Sequence, residues 1–186
     1  MGTQRKIHTP LTDEVIASLH AGDMLLLSGE VYTARDVAHR RLYETLQKGE
    51  KLPIDLQGTV IFYAAPTPTP AGKVIGSIGP TTSYRMDAFT TKLIENGLKG
   101  MIGKGNRSPE VVEAIKQYGA VYFGAIGGIA ALTAKCVKRV ELIAYEDLGP
   151  EAIRRLTVSE MPLVVINDTA GQDLYAEAQK KWRIIS

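Results

Sequence analysis

Residues 76–106, GSIGPTTSYRMDAFTTKLIENGLKGMIGKGN, alternate extended and helical patterns. The apolar run at 73–78 reads as a strand running into a glycine-rich turn, Gly79-Pro80-Thr81-Thr82-Ser83. Residues 86–96 have amphipathic helical spacing, and 99–102 read as a further strand leading into a second turn, Gly103-Lys104-Gly105-Asn106. Strands alternating with helices in this way define an α/β domain. Glycine has no Cβ, so its backbone can come close to a ligand, and loop N–H groups beside a helix N-terminus favour an anion. Arg85 and Lys104 add full positive charge, the first as a planar fork that suits a carboxylate and the second as a point charge. A small, multiply anionic molecule is the implied ligand.

On the N-terminal side, Thr12 with Asp13 and Glu14 starts a short helix that Gly22-Asp23 stops. Residues 24–33, MLLLSGEVYT, read as one or two buried strands. Thr33 then caps a helix with Val37, Ala38, Leu42, Thr45 and Leu46 on one face, and Gly49 ends it in the left-handed conformation. Arg35 and Asp36 fall in its first turn, where a cation opposes the helix dipole, so Arg35 is expected to serve something else. Residues 58–65 make a third apolar strand, ended by Pro66-Thr67-Pro68-Thr69-Pro70 because proline removes ladder donors.

On the C-terminal side, Ser108 caps a helix with Pro109 at its first position and Gly119 at its end. Residues 120–126 read as a strand, Gly127-Gly128 opens a small-residue helix, 140–145 is a strand, 150–156 a short helix and 163–166 the last strand. Residues 173–182 have helical spacing, with Trp182 and Ile184 expected to pack back onto the body. The expectation is one domain over 1–186 with a mixed sheet, since 186 residues at 45% hydrophobic suit a single well-filled core.

Net charge is +2, from 22 basic and 20 acidic residues, and no basic run carries interleaved aromatics, which argues against nucleic acid as a partner. The single cysteine, Cys136, forbids an internal disulfide and cannot alone hold a cysteine-ligated cluster or a structural zinc. No metal site is expected on this chain. The polar N-terminus lacks a signal-peptide core, and no apolar run approaches the ~20 residues of a membrane span, so the chain reads as soluble and cytoplasmic. Residues 97–104 miss the phosphate-loop spacing, no G-x-G-x-x-G follows a strand, and His8, His20 and His39 are too scattered for a local metal motif. His39 lies one turn beyond Arg35; Cys136 reads as a buried apolar residue.

Three ordered motifs carry a resemblance: Thr33-Ala34-Arg35-Asp36-Val37-Ala38-His39, Gly79-Pro80-Thr81-Thr82-Ser83-Tyr84-Arg85-Met86-Asp87 and Gly103-Lys104-Gly105-Asn106. With 144–151 and 165–169, they make the chain resemble the β subunit, or C-terminal domain, of class I fumarate hydratases and L(+)-tartrate dehydratases, the iron–sulfur hydro-lyases. The resemblance runs from about residue 10 to the C-terminus. It implies a three-layer swivelling β/β/α fold and a dicarboxylate site shared with an α subunit in a hetero-oligomer. That α subunit would carry the [4Fe–4S] cluster, one iron of which acts as a Lewis acid on the departing hydroxyl. By motif, Arg35, Arg85 and Lys104 would clamp the substrate, and Thr81 would be the base at the carbon next to the hydroxyl. A threonine alkoxide is too basic to be populated alone, so that role implies activation by a partner carboxylate and nearby cations. Tyr84 stands where many relatives have a small residue, leaving the choice between malate and tartrate open.

Taken without the family, the same residues have plainer roles. Arg85 would pair with Asp87 at a helix start, Thr81 and Thr82 would shape a turn, and Lys104 would be a solvated loop lysine. The leading expectation is a fumarate hydratase β subunit. Its rivals are a tartrate dehydratase β subunit, a non-catalytic domain that binds a small anion, and an assembly scaffold.

Overall fold

The apolar run at 24–33 forms one strand, and the sheet grows outward from both of its edges. The computed structural model describes residues 4–125 and 130–183. In chain order the elements are β1 (Arg5–His8), α1 (Asp13–Ala17), β2 (Met24–Thr33), α2 (Asp36–Gln47), β3 (Val60–Phe62), α3 (Asp87–Glu95), β4 (Gly100–Gly103), α4 (Pro109–Tyr118), β5 (Val121–Gly124), α5 (Ala130–Cys136), β6 (Val137–Ala144), β7 (Ile153–Asn167) and α6 (Leu174–Trp182). Tight 3₁₀ turns at Ser83–Met86 and Glu146–Glu151 precede α3 and β7.

The strand order is β1-β2-β3-β4-β5-β7-β6, and β2 also pairs with β7. Strands β1 to β5 run parallel, while β7 is antiparallel to β2, β5 and β6. Because β7 touches both β5 and β2, the strands β2, β3, β4, β5 and β7 close into a ring. A bulge lets the β2–β7 ribbon bend: the register shifts between Leu27 and Gly29. There Gly29 has φ 110° and Glu160 φ 50°. The Glu160 N–H leaves the ladder and donates to Ser28 Oγ at 2.9 Å.

Alternation along each strand builds two cores. Val60, Phe62, Ile102, Val121 and Phe123 join Leu25, Leu27, Val31, Leu156 and Val165 in a core between strands. Their sequence neighbours Ile61, Tyr63, Met101 and Tyr122 face the other way, onto Ala38 and Leu42 of α2, Leu93 and Ile94 of α3, and Val111 and Ile115 of α4. Burial on both faces explains why β3, β4 and β5 read as continuous apolar runs. The result is the α/β fold with a mixed sheet, α2, α3 and α4 covering one core while α1 and α5 pack against the other.

Several local expectations hold. Thr12 and Ser108 accept hydrogen bonds from Val15 N and Val111 N as N-caps, and Gly119 ends α4 with φ 64°. Others are overturned. Residues 73–78 are not a strand; the chain after the prolines folds on itself through Thr67 N to Ser77 O at 3.0 Å, so the first glycine-rich turn does not follow a strand. Thr33 stays in β2, where its hydroxyl donates to Ala152 O, and Arg35 takes the N-cap position of α2 without a side-chain cap. The helix expected at 150–156 is a 3₁₀ turn followed by β7, whose buried residues recur with a strand's period. Helix α1 ends at Ala17, before Gly22, and α3 begins at Asp87. Strand β1 was not foreseen. Trp182 is 74% exposed and does not pack back, while Ile184 and Gly127-Gly128 lie outside the described residues.

Replacing Phe123, which is fully buried, by alanine should cost about 3–5 kcal/mol in urea unfolding. Leu132→Ala on exposed α5 should stay within about 0.5 kcal/mol.

Candidate active site

Strands β2 to β5 are parallel, so their C-terminal ends lie along one edge, the usual place for ligands in α/β sheets. Arg35 follows β2 and Lys104 follows β4. Thr81 is fastened to the same edge, since its N–H donates to the carbonyl of Tyr63, just past β3, at 2.7 Å. The two glycine-containing turns run side by side: Thr82 and Lys104 form a parallel bridge, and Ser83 N donates to Lys104 O at 2.9 Å. Their contact requires glycine at 103, where an added Cβ would stand 1.9 Å from Ser83 Oγ. Ser83 Oγ also meets Tyr122 OH at 2.9 Å, and that hydroxyl donates to Gly105 O at 2.8 Å. Burial pushes the Tyr122 phenol well above its ordinary pKa, so it remains a donor.

Beneath the turns lies a buried arginine that sequence reasoning missed. Arg107 has a fully buried side chain and pairs with Asp87 at 2.8 Å, while Asp87 also accepts from Ser108 N at 2.6 Å. Further guanidinium donors reach Thr90 Oγ1 and Tyr63 OH. Its plane sits 5.2 Å and 5.0 Å from the Tyr63 and Tyr122 ring centres. A charge buried this deeply is tolerable only because its donors are satisfied. Arg107 thereby joins the segment after Lys104 to the start of α3, beside Arg85.

Arg85 does not pair with Asp87, which Arg107 has taken. Its Nε instead meets Asp36 Oδ1 at 2.7 Å. The other oxygen of Asp36 lies 3.7 Å from Arg35 Nη2, which is 3.5 Å from Glu151 Oε1. Arg35 and Arg85 are thus brought together over one carboxylate. The turn bearing Glu151 is tied to α2 by Arg41, which forks onto both oxygens of Asp147 at 2.8 and 2.5 Å. Lys104 is exposed and forms no salt bridge among the described residues. Thr81 is partly buried, and Tyr84 is 66% exposed, pointing away from the fold.

His39 is fully buried on α2, with Nδ1 donating to Arg35 O at 3.1 Å and its ring edge-on to Tyr63. Burial holds its pKa down at about 4. Cys136 packs at the edge of the strand core, and burial raises its thiol pKa. Among the described residues no group of three or more histidine, cysteine or acidic side chains is placed to hold a metal ion, so they do not suit a cysteine-bound cluster. None of the described helices is long and apolar enough to cross a membrane. A groove of about 790 Å³ lies apart from the four expected residues, lined by Asn106, Tyr175, Gln179 and Trp182.

Taken together, this is an α/β domain that brings two arginines and two glycine-containing turns to the C-terminal end of its parallel strands, a geometry able to hold a small anion. The family model for the fumarase C-terminus matches residues 3–178, and the chain belongs to that family. It is 41% identical over 157 residues to the aerobic class I fumarate hydratase of Salmonella typhimurium, covering 83% of this chain and 27% of that protein. It is 40% identical over 177 residues to a Methanocaldococcus jannaschii protein provisionally assigned as L(+)-tartrate dehydratase subunit beta, covering 92% and 91%. Fumarate hydratase 2 of Leishmania major is 39% identical over 158 residues, covering 84% and 28%. The chain thus spans about a quarter of the fumarate hydratases it resembles and nearly all of the shorter relative.

Two outcomes follow from this geometry. Removing the Arg107 side chain strands Asp87 in the interior, so Arg107→Ala should lose about 3–5 kcal/mol in denaturant unfolding. His39 titrates at 6.5 when unfolded and about 4 when folded, so its stabilising contribution is complete above pH 6.5 and is lost as pH falls toward 4. Urea midpoints across that window should drop by the equivalent of roughly 3 kcal/mol, and His39→Gln should flatten the slope.

Proposed function

We propose that the chain acts as the β subunit of an iron–sulfur-dependent hydro-lyase that interconverts (S)-malate and fumarate, in a hetero-oligomer whose α subunit holds the [4Fe–4S] cluster. The observation that carries this reading is the meeting of Arg35 and Arg85 over Asp36. It lies at the strand edge to which Thr81 is fastened and where Lys104 follows β4. A dicarboxylate needs separated cations, and the two guanidinium groups and the ammonium supply them.

In this mechanism the chain's own residues bind, orient and move a proton. Arg35, Arg85 and Lys104 hold the carboxylates and fix the substrate against Thr81. Thr81 exchanges a proton with the carbon adjacent to the hydroxyl-bearing one. Its hydroxyl is a weak base alone, so a carboxylate of the α subunit completes the proton path while the surrounding cations favour the charged form. The likeness to class I fumarate hydratases supports the malate–fumarate pair. The near-complete overlap with the tartrate dehydratase relative supports a second reading, dehydration of L(+)-tartrate to oxaloacetate.

An anaerobic assay of fumarate hydration and tartrate dehydration, using the chain alone and mixed with the cluster-loaded α subunit, tests both. Activity only in the mixture supports the shared site, and the faster substrate selects between the readings. Silence in a mixture with an intact cluster spectrum would leave a domain that binds a small anion without catalysis. In the active mixture, Arg85→Ala should lower turnover and raise KM, reducing kcat/KM on the order of 100-fold, about 3 kcal/mol.

A further inference from the structure

Asp36 opens helix α2, where an acid favours the helix dipole. That role leaves its contacts unexplained. The N-cap of α2 has no side-chain cap bond, and the Asp36 carboxylate reaches across to Arg85, near the start of α3. One oxygen takes Arg85 Nε at 2.7 Å and the other faces Arg35 Nη2 at 3.7 Å. The second distance is that of an ion pair and exceeds hydrogen-bond range. Asp36 is partly buried, its side chain 26% exposed, and Arg35 is 23% exposed. Their charges are therefore screened less than those of a surface pair.

We propose that Asp36 is the positioning residue of the site, an inference that rests on the hydro-lyase reading above. Its first effect is geometric. A guanidinium held through Nε has its torsions fixed, and the Nη1 and Nη2 donors at its far end stay available for a substrate carboxylate in bidentate geometry. Its second effect is electrostatic. Two arginines converging on one small ligand repel each other, and a carboxylate between them offsets that repulsion while the site is empty of substrate. Glu151, 3.5 Å from Arg35 Nη2, shares the second task but makes no ion pair with Arg85 among the described residues. Among the described residues only Asp36 forms an ion pair with both cations.

The test is a double-mutant cycle in the enzyme reconstituted with its α subunit, read as kcat, KM and the dissociation constant of succinate, a non-reacting dicarboxylate, by titration calorimetry. Asp36→Ala should reduce kcat/KM about 100-fold, the scale of a misplacement near 1 Å, and weaken succinate binding. Most of that loss should vanish when Arg85 is already alanine, leaving a change below about twofold, because the two residues act as one unit. Asp36→Asn, which keeps an acceptor oxygen, should recover activity to within about tenfold of the parent, whereas Asp36→Glu, one methylene longer, should not. Additive losses in the cycle, or unchanged kinetics and succinate binding in Asp36→Ala, would overturn the proposal while leaving the hydro-lyase reading intact. If Asp36→Ala does not assemble, equal activity of the asparagine and glutamate variants would overturn it. An active mixture indifferent to Arg85→Ala would instead remove the substrate-binding assignment on which the inference rests.

Discussion

The arrangement of the site depends on one buried charge. Arg107 sits where water cannot screen it, and its donors are met by Asp87, Thr90, Tyr63 and the sulfur of Met101, with the rings of Tyr63 and Tyr122 on its flanks. Such a group has almost no freedom to shift, because any displacement exposes an unpaired donor to an apolar interior. The glycine turn just before it and the helix that carries Asp87 are therefore held in one relation. The exposed side chains Lys104 and Arg85 thus stand on rigid footings.

A division of labour between charges follows. Asp87 is spent on structure, which leaves Arg85 to find its carboxylate in Asp36, and Asp36 in turn reaches Arg35. Buried pairs and half-exposed pairs differ in kind here. The first are costly to break, whereas the second are reached by solvent and leave guanidinium donors open to an anion. Gly103 and Ser83 extend the same logic to the backbone, since a Cβ at 103 would collide with Ser83 Oγ and push the two turns apart.

The class of fold was legible because both faces of β3, β4 and β5 are buried, and such strands announce themselves as short apolar runs between turn residues. The caps at Thr12, Ser108 and Gly119 were legible for a local reason, each being set by its own few neighbours. Residues 73–78 misled because apolar residues also line loops that fold back on themselves, and no local pattern distinguishes that from a strand. Arg35, Thr81, Arg85 and Lys104 are candidates that motifs single out, and the structure brings the two arginines together and sets the turns of Thr81 and Lys104 side by side. Arg107 and Asp36 stayed hidden, because whether a charged residue is buried or bridges two others is decided by tertiary contacts that spacing does not record. Their signal was position alone, one beside Arg35 and the other just after the second glycine turn.

Closure of the ring has a kinetic side. Met24 pairs with Val164, and Gly124 with the same residue of β7, so the last long strand seals both β2 and β5. During synthesis the ribosome releases β2 and β5 well before β7, and in that interval both present bare backbone edges to anything that can add a strand. Pairings so distant along the chain also form slowly. The order of translation thus leaves two strand edges without their final neighbour until β7 emerges and covers both.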